Sequence, residues 1–190
     1  MFAIAAMSRN GVIGSGDRIP WRISDELKWF RSKTLGRVVI MGRRTFESLP
    51  KPLAGRINVV LTRNPERLLA DARFQARFAG ALGAPQGPPD VAPADLTQGV
   101  RTEVRVARDL EALERAGLLR EAWLCGGAQV YQRYLGQCSE LYLSVVDREV
   151  EGDVTFPRFE HLFELAGVVA EFPEFRVLRY VRNAIPSPAR

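Results

Sequence analysis

Histidine and cysteine are nearly missing from this 190-residue chain, which has one histidine, His161, and two cysteines, Cys125 and Cys138. The two thiols show no CxxC or Cys/His ligand spacing and His161 lies well beyond both, so neither a metal site nor a disulfide is expected. Long hydrophobic runs are missing too. No uninterrupted apolar stretch approaches the roughly 20 residues that a membrane helix needs, so no membrane partner is expected. No basic run interleaved with aromatics marks a nucleic-acid surface. The opening "MFAIAAMSRN" has no basic segment ahead of its apolar run, which breaks after Met7, so it reads as a first strand and not a secretion signal. The expectation is a soluble, cytoplasmic protein. Lysine is also scarce: of 27 basic residues only Lys28, Lys33 and Lys51 are lysines, so arginine carries the net charge of +5. Arginine favours bidentate contacts with oxyanions; a compositional habit of the source explains the excess as well.

What is present fits one domain. The length allows roughly two-thirds of the unfolded surface to be buried in a single core, and neither repeats nor a second core-sized unit appear. Strand-like segments at 2–7, 37–41, 57–62, 103–107 and 121–125 alternate with helix-like segments at 24–34, 44–49, 108–117 and 128–135. The tail adds strands at 140–150 and 174–183, joined by an irregular or weakly helical link over 156–167. Short apolar runs separated by helices predict an α/β fold: a central, mostly parallel, mixed sheet with helices on both faces and an antiparallel C-terminal edge. Residues 65–78 read as a helix without a clean stripe. The segment "GALGAPQGPPDVAPADLTQG", 80–99, has four prolines and four glycines and is expected to be an exposed insertion.

The stretch "IPWRISDELKWF" sets two acids at the start of a helix. With Ser24 as N-cap and about 100° per residue, Ile23, Leu27, Phe30 and Thr34 share one face, Glu26 sits about 60° to its side and Asp25 nearly opposite. Asp25 should meet solvent near Lys28. Glu26, against apolar side chains, should have its pKa raised, as suits a proton donor. The competing reading is a first-turn acid that complements the helix dipole.

Two strand-end glycine turns follow. "VVIMGRRT" places Gly42 between a buried strand and a helix carrying Arg43, Arg44 and Thr45. "LCGGAQVY" repeats the arrangement with Gly126 and Gly127, and "LTRNP" puts Arg63 at the same kind of edge. Neither turn is a GxGxxG or P-loop, and each alone is as compatible with a structural turn. Together, at the carboxyl ends of parallel strands, they suggest a dinucleotide phosphate site, and the arginines favour the 2′-phosphate of NADP.

At this point the chain resembles the dihydrofolate reductase family, through "IAAMSRNGVIG", "IPW", "VVIMGRRTFESLPKPLAGRINVVLTR", "CGGAQVYQRYL" and "LYLSVVDREVEGDVTFP", in that order. The resemblance implies NADPH-dependent reduction of dihydrofolate by a cytoplasmic, monomeric enzyme. It implies a catalytic set of Glu26, which would bond the pterin 2-amino group and N3, Trp21, which would order a water, and Ser144, which would steady the acid. Ile4, Ala6, Leu27, Phe30, Leu49, Leu53 and Cys125 would line the substrate pocket, with Arg56 clamping the α-carboxylate of the glutamate tail. Cys125 departs from the branched aliphatic residue expected there. NADPH would be held by Ala6, Ile13, Gly14, Ile19, Gly42, Arg43, Arg44, Thr45, Leu61, Thr62, Arg63, Gly126, Gly127, Ala128, Gln129, Val130 and Tyr131, with a cis peptide at the paired glycines and a loop through Asn10 to Ile19 closing over the nicotinamide. Two other readings remain: a same-fold riboflavin-pathway pyrimidine reductase, and a non-catalytic NADP-binding module.

Overall fold

The fold was obtained as a computed structural model, which describes residues 1–82 and 102–183. Among the described residues, ten strands and six α-helices run in the order β1 (Phe2–Ser8), β2 (Val12–Gly14), α1 (Ser24–Thr34), β3 (Val38–Gly42), α2 (Arg43–Ser48), β4 (Ile57–Leu61), α3 (Pro65–Leu69), α4 (Ala72–Phe78), β5 (Glu103–Ala107), α5 (Leu110–Arg115), β6 (Trp123–Leu124), α6 (Ala128–Tyr134), β7 (Glu140–Val146), β8 (Val154–Thr155), β9 (Phe163–Phe172) and β10 (Phe175–Arg182). Eight strands make one sheet in the order β5-β4-β3-β6-β1-β7-β10-β9, and β2 pairs separately with β8. Every pairing from β5 across to β7 is parallel, and β10 is antiparallel to both β7 and β9. This is the expected mixed α/β sheet. The 80–99 insertion falls, from residue 83 onward, outside the described residues.

Alternation along the central strands explains why both faces need helices. Ala3 and Ala5 of β1, Val38 and Ile40 of β3, and Ile57 and Val59 of β4 join one core with Leu110, Leu113 and Tyr131. Their neighbours Ile4, Val39, Met41 and Val60 point the other way and pack with Phe46, Leu68, Phe74 and Phe78. Successive side chains leave a strand on opposite sides, so a continuous apolar run buries both.

Four features differ from the sequence reading. Strand β9 begins at Phe163, inside the irregular or weakly helical link expected over 156–167, and runs to Phe172. As an edge strand it leaves Leu165 and Val168 about half exposed, and its pairing with β10 slips at two irregularities around Gly167, which erases the period-two pattern. Residues 65–78 form two helices, because the Asp71 carboxylate caps a new start by accepting from the N–H groups of Arg73 and Phe74 at 2.9 and 3.1 Å. Those bonds hold its pKa below the usual carboxylate range. Helix α1 has Ile23, not Ser24, at its N-cap, and no side chain caps it. The two-stranded β2–β8 unit, with strands of three and two residues, is too short to give a pattern.

Candidate active site

Helix α1 sets its two neighbouring carboxyls in opposite surroundings. Asp25 is exposed and holds Lys28 Nζ at 2.8 Å. Glu26 is 7% exposed and has no ion-pair partner among the described residues. Burial disfavours its anion and pushes its pKa up from 4.5 to about 7; the nearby Ser144 hydroxyl pulls the other way. Ser144 lies on β7, directly across from Ala6 of β1. Its buried Oγ meets no hydrogen-bond partner of normal geometry, so it stands beside the carboxyl without being seated on it, and its pull is the weaker.

The apolar face of α1 is turned toward Glu26 relative to the sequence stripe. Ile23, Glu26 and Thr34 are buried and Phe30 is half-buried, whereas Leu27 is left 50% exposed. Phe30, Leu49, Leu53 and Cys125 meet against the cluster that contains Ile4. Trp21 is part-buried against Ile23, Val146, Phe175 and Val177. Of the predicted pocket residues, only Leu27 is exposed.

Arg56 mirrors Glu26 with the opposite sign. It is 3% exposed, its Nε has no hydrogen-bond partner among the described residues, and its guanidinium carbon stands 5.5 Å from the centre of the Phe30 ring. Burial and then the charge of Arg31 lower its pKa, yet a guanidinium remains a cation in proteins. A buried cation with no counter-ion is costly, and its lining is suited to an anionic ligand.

Parallel strands bring the glycine turns to one edge. Gly42 at the end of β3 sits beside Leu61 at the end of β4, and its N–H donates to the Gly126 carbonyl at 2.8 Å. A Cβ on Gly127 would lie 2.8 Å from Thr45 Oγ1, and one on Gly126 would lie 2.9 Å from the Tyr131 ring. Only glycine permits so close an approach, and Gly126 also has a φ of +103°. The Gly126–Gly127 peptide is cis. Around this seam Arg43, Arg44, Arg63 and Gln129 are exposed, Thr45, Thr62, Ala128 and Val130 are half-buried, and Leu61 is buried. Arg43 is engaged by Glu47 at 2.7 Å; Arg44 and Arg63 have no ion-pair partner among the described residues. Two guanidiniums without an ion-pair partner among the described residues, beside a seam of glycines, make this edge suited to an anionic group.

Between the two halves, Tyr131 donates its hydroxyl to the Ile4 carbonyl at 2.6 Å. Burial holds its pKa well above 10, so it stays a donor. The Cys125 Sγ lies 3.3 Å from the Trp123 carbonyl, and burial pushes the thiol up to about 12, so it is neutral.

Sequence reasoning gave no role to Gly152 and Asp153, which fasten the 10–19 loop. Asn10 Nδ2 donates to the Val150 carbonyl at 2.9 Å, and the Gly16 N–H donates to Asp153 Oδ1 at 2.8 Å. Gly14 and Val12 pair with Val154 and Thr155, bringing Ile13 part-buried against the core while Ile19 stays exposed. A Cβ on Gly152 would fall 2.4 Å from both the Gly14 carbonyl and Val12 Cγ1. The only sequence signal was a glycine and an acid in "EGDV", which is common to ordinary turns.

Three comparisons bear on this arrangement. The dihydrofolate reductase family pattern matches residues 1–87 and 94–170. The chain is 38% identical over 156 residues to dihydrofolate reductase type 3 of Salmonella typhimurium, covering 82% of this chain and 77% of that protein. It is 34% identical over 158 residues to dihydrofolate reductase of Neisseria meningitidis serogroup A, covering 83% and 78%. Among solved structures, dihydrofolate reductase from Enterococcus faecalis complexed with NADP(H) and RAB-propyl matches with a TM-score of 0.69 at 25% identity, over 96% of each chain. A family pattern that spans most of the sequence and relatives up to 38% identical over 82% of it show the same thing: the chain belongs to the dihydrofolate reductase family.

Proposed function

We propose that Glu26 and Arg56 mark the two ends of the cleft in which this enzyme reduces 7,8-dihydrofolate to 5,6,7,8-tetrahydrofolate with NADPH. The observation that carries this assignment is the pair itself: one carboxyl and one guanidinium, both buried, neither with an ion-pair partner among the described residues, the guanidinium 5.5 Å from the Phe30 ring. A pterin with a carboxylate tail is complementary to that spacing of charge. Glu26, with a pKa of about 7, is protonated in about half of the molecules at neutral pH, and the protonated carboxyl can face the 2-amino group and N3 as both donor and acceptor. Ser144 steadies that carboxyl and Trp21 orders the water that delivers a proton to N5. Ile4, Ala6, Phe30, Leu49, Leu53 and Cys125 shape the pocket, Leu27 borders it, and Arg56 takes the α-carboxylate.

NADPH, when bound, supplies the hydride that goes to pterin C6. Arg44 and Arg63 hold its phosphates, with Arg43 shared with Glu47, while Gly42, Thr45, Leu61, Thr62 and the Gly126 to Tyr131 turn shape its bed. The loop carrying Ile13, Gly14 and Ile19 closes over the reacting rings and excludes bulk water. No helix among the described residues is long and apolar enough to cross a membrane. A cytoplasmic monomer that serves one-carbon metabolism, and is a target for antifolates, is the consistent setting.

The test follows NADPH absorbance with dihydrofolate for the wild type, Glu26→Gln and Asp25→Asn. Severe loss in the first variant alone is expected, and equal effects would remove Glu26 from its role. Oxidation of NADPH by an aminopyrimidine but not by dihydrofolate would support the riboflavin-pathway reading. Tight NADPH binding without turnover on either would support a non-catalytic module.

A further inference from the structure

We infer that Asn58 is the positioning residue of the substrate-tail pocket, fixing the 53–56 loop so that the Arg56 guanidinium meets a carboxylate. The inference rests on the reading of Arg56 given above and names a determinant that does not itself touch the ligand. Asn58 is fully buried in β4. Its Oδ1 accepts from the Leu53 N–H at 2.9 Å, and its Nδ2 lies 3.0 Å from the Leu53 carbonyl, 3.1 Å from the Arg56 carbonyl and 3.2 Å from the Glu103 carbonyl. One amide therefore ties both ends of the loop to each other and to β5.

The side chain of Arg56 lacks any comparable anchor. Its Nε meets no hydrogen-bond partner among the described residues, and the Phe30 ring stands 5.5 Å from its guanidinium carbon. Where the guanidinium sits is thus set by where the backbone of residue 56 is held. Gly55 is bonded to Gly36 and to Thr102 Oγ1, but its φ of +70° belongs to a turn that needs no side-chain clamp to form. Of the side chains bonded to the loop, Asn58 alone holds Leu53 and Arg56 together, and both of these line the tail end of the cleft. A buried amide with three of its four bonds directed at one loop specifies a geometry, and misplacing a binding group by about 1 Å suffices to weaken it strongly.

Among the described residues the Asn58 side chain bonds to Leu53, Arg56 and Glu103 and to nothing in α1 or the glycine seam, so its loss should act on the tail and not on the chemistry. The experiment compares dihydrofolate with 6-methyl-7,8-dihydropterin, which lacks the aminobenzoyl-glutamate tail, for Asn58→Ala, Asn58→Ser and Arg56→Leu. Thermal melts and NADPH quenching of tryptophan fluorescence verify the folded state. The expected result for either Asn58 variant is a KM for dihydrofolate raised about tenfold with kcat within about twofold, and kcat/KM for the tail-less pterin unchanged within about twofold. Adding Asn58→Ser to Arg56→Leu should produce no further rise, because both act through one contact. Asn58→Ser keeps a donor for one carbonyl and carries the comparison if the alanine variant does not fold. A proportional fall for both substrates, or no change for either, overturns the role of Asn58 provided that Arg56→Leu separates them. If Arg56→Leu fails to separate them, the tail-pocket reading falls and this inference with it.

Discussion

Arginine is used in two opposite ways in the two halves of the site. Arg56 is buried, without an ion-pair partner among the described residues and held through its backbone, whereas Arg44 and Arg63 are exposed around a seam of glycines. The buried cation has lost its water and tolerates few alternatives to an anionic partner; the exposed cations keep theirs and act mainly by attraction. The pterin half should therefore be specific, sensitive to single changes and insensitive to salt. The phosphate edge should be additive and readily screened. Glu26 carries the same contrast within two residues, since Asp25 faces solvent and Lys28.

The largest expected effect is at Glu26. Glu26→Gln should lower turnover by about two orders of magnitude or more, and the wild-type decline in turnover as pH rises through about 7, where the carboxyl gives up its proton, should vanish in the variant. The same change should stabilise the fold. A folded pKa of about 7 against an ordinary 4.5 means that the stability due to the bound proton is complete below about pH 4.5 and is lost as pH rises through 7. Glu26→Gln should then be more stable than the wild type at pH 8, by on the order of 2–3 kcal/mol, with no advantage at pH 4. Denaturant melts at the two pH values test this; a variant less stable at pH 8 would contradict a carboxyl buried at a cost.

At the phosphate edge, Arg44→Ala and Arg63→Ala should each raise the Kd for NADPH about tenfold, roughly additively when combined. Arg43→Ala should do less, because Glu47 already shares that charge. Added salt should weaken NADPH binding more than it raises the KM for dihydrofolate; equal sensitivity would erase the contrast between the halves. The loop between them should respond more mildly. Gly152→Ala forces an overlap with Gly14 and Val12 and should cut turnover about fivefold, whereas Asp153→Ala, which removes one partly exposed hydrogen bond, should cut it about twofold. The smallest effect belongs to Asp25→Asn, within about twofold in any assay, since exposed pairs contribute little.

Legibility followed the range over which the controlling forces act. Helix α1 and strand β5 appear with the bounds that the sequence pattern predicts, and Glu26 is separated from Asp25 by helical geometry alone. The rotation of the buried face from Leu27 toward Glu26 was not readable, because it depends on what α1 lies against. Strand β9 was hidden by its edge position and irregular pairing. Gly152, Asp153 and Asn58 gave no signal, because each acts on residues whose nearness is created by the fold: Asp153 on Gly16, and Asn58 on a loop it shares with β5.

By itself the sequence determined the alternation of apolar runs and helices, the strand-end glycines and the face on which each acid of α1 would stand, since these depend on backbone periodicity and on local sterics. Tertiary structure alone decided which charges would lose their water. Desolvation is a property of everything packed around a group, so an unpaired Glu26, an unpaired Arg56 and the amide of Asn58 that sets the latter acquire their meaning only when the sheet, α1 and the 53–56 loop are brought together.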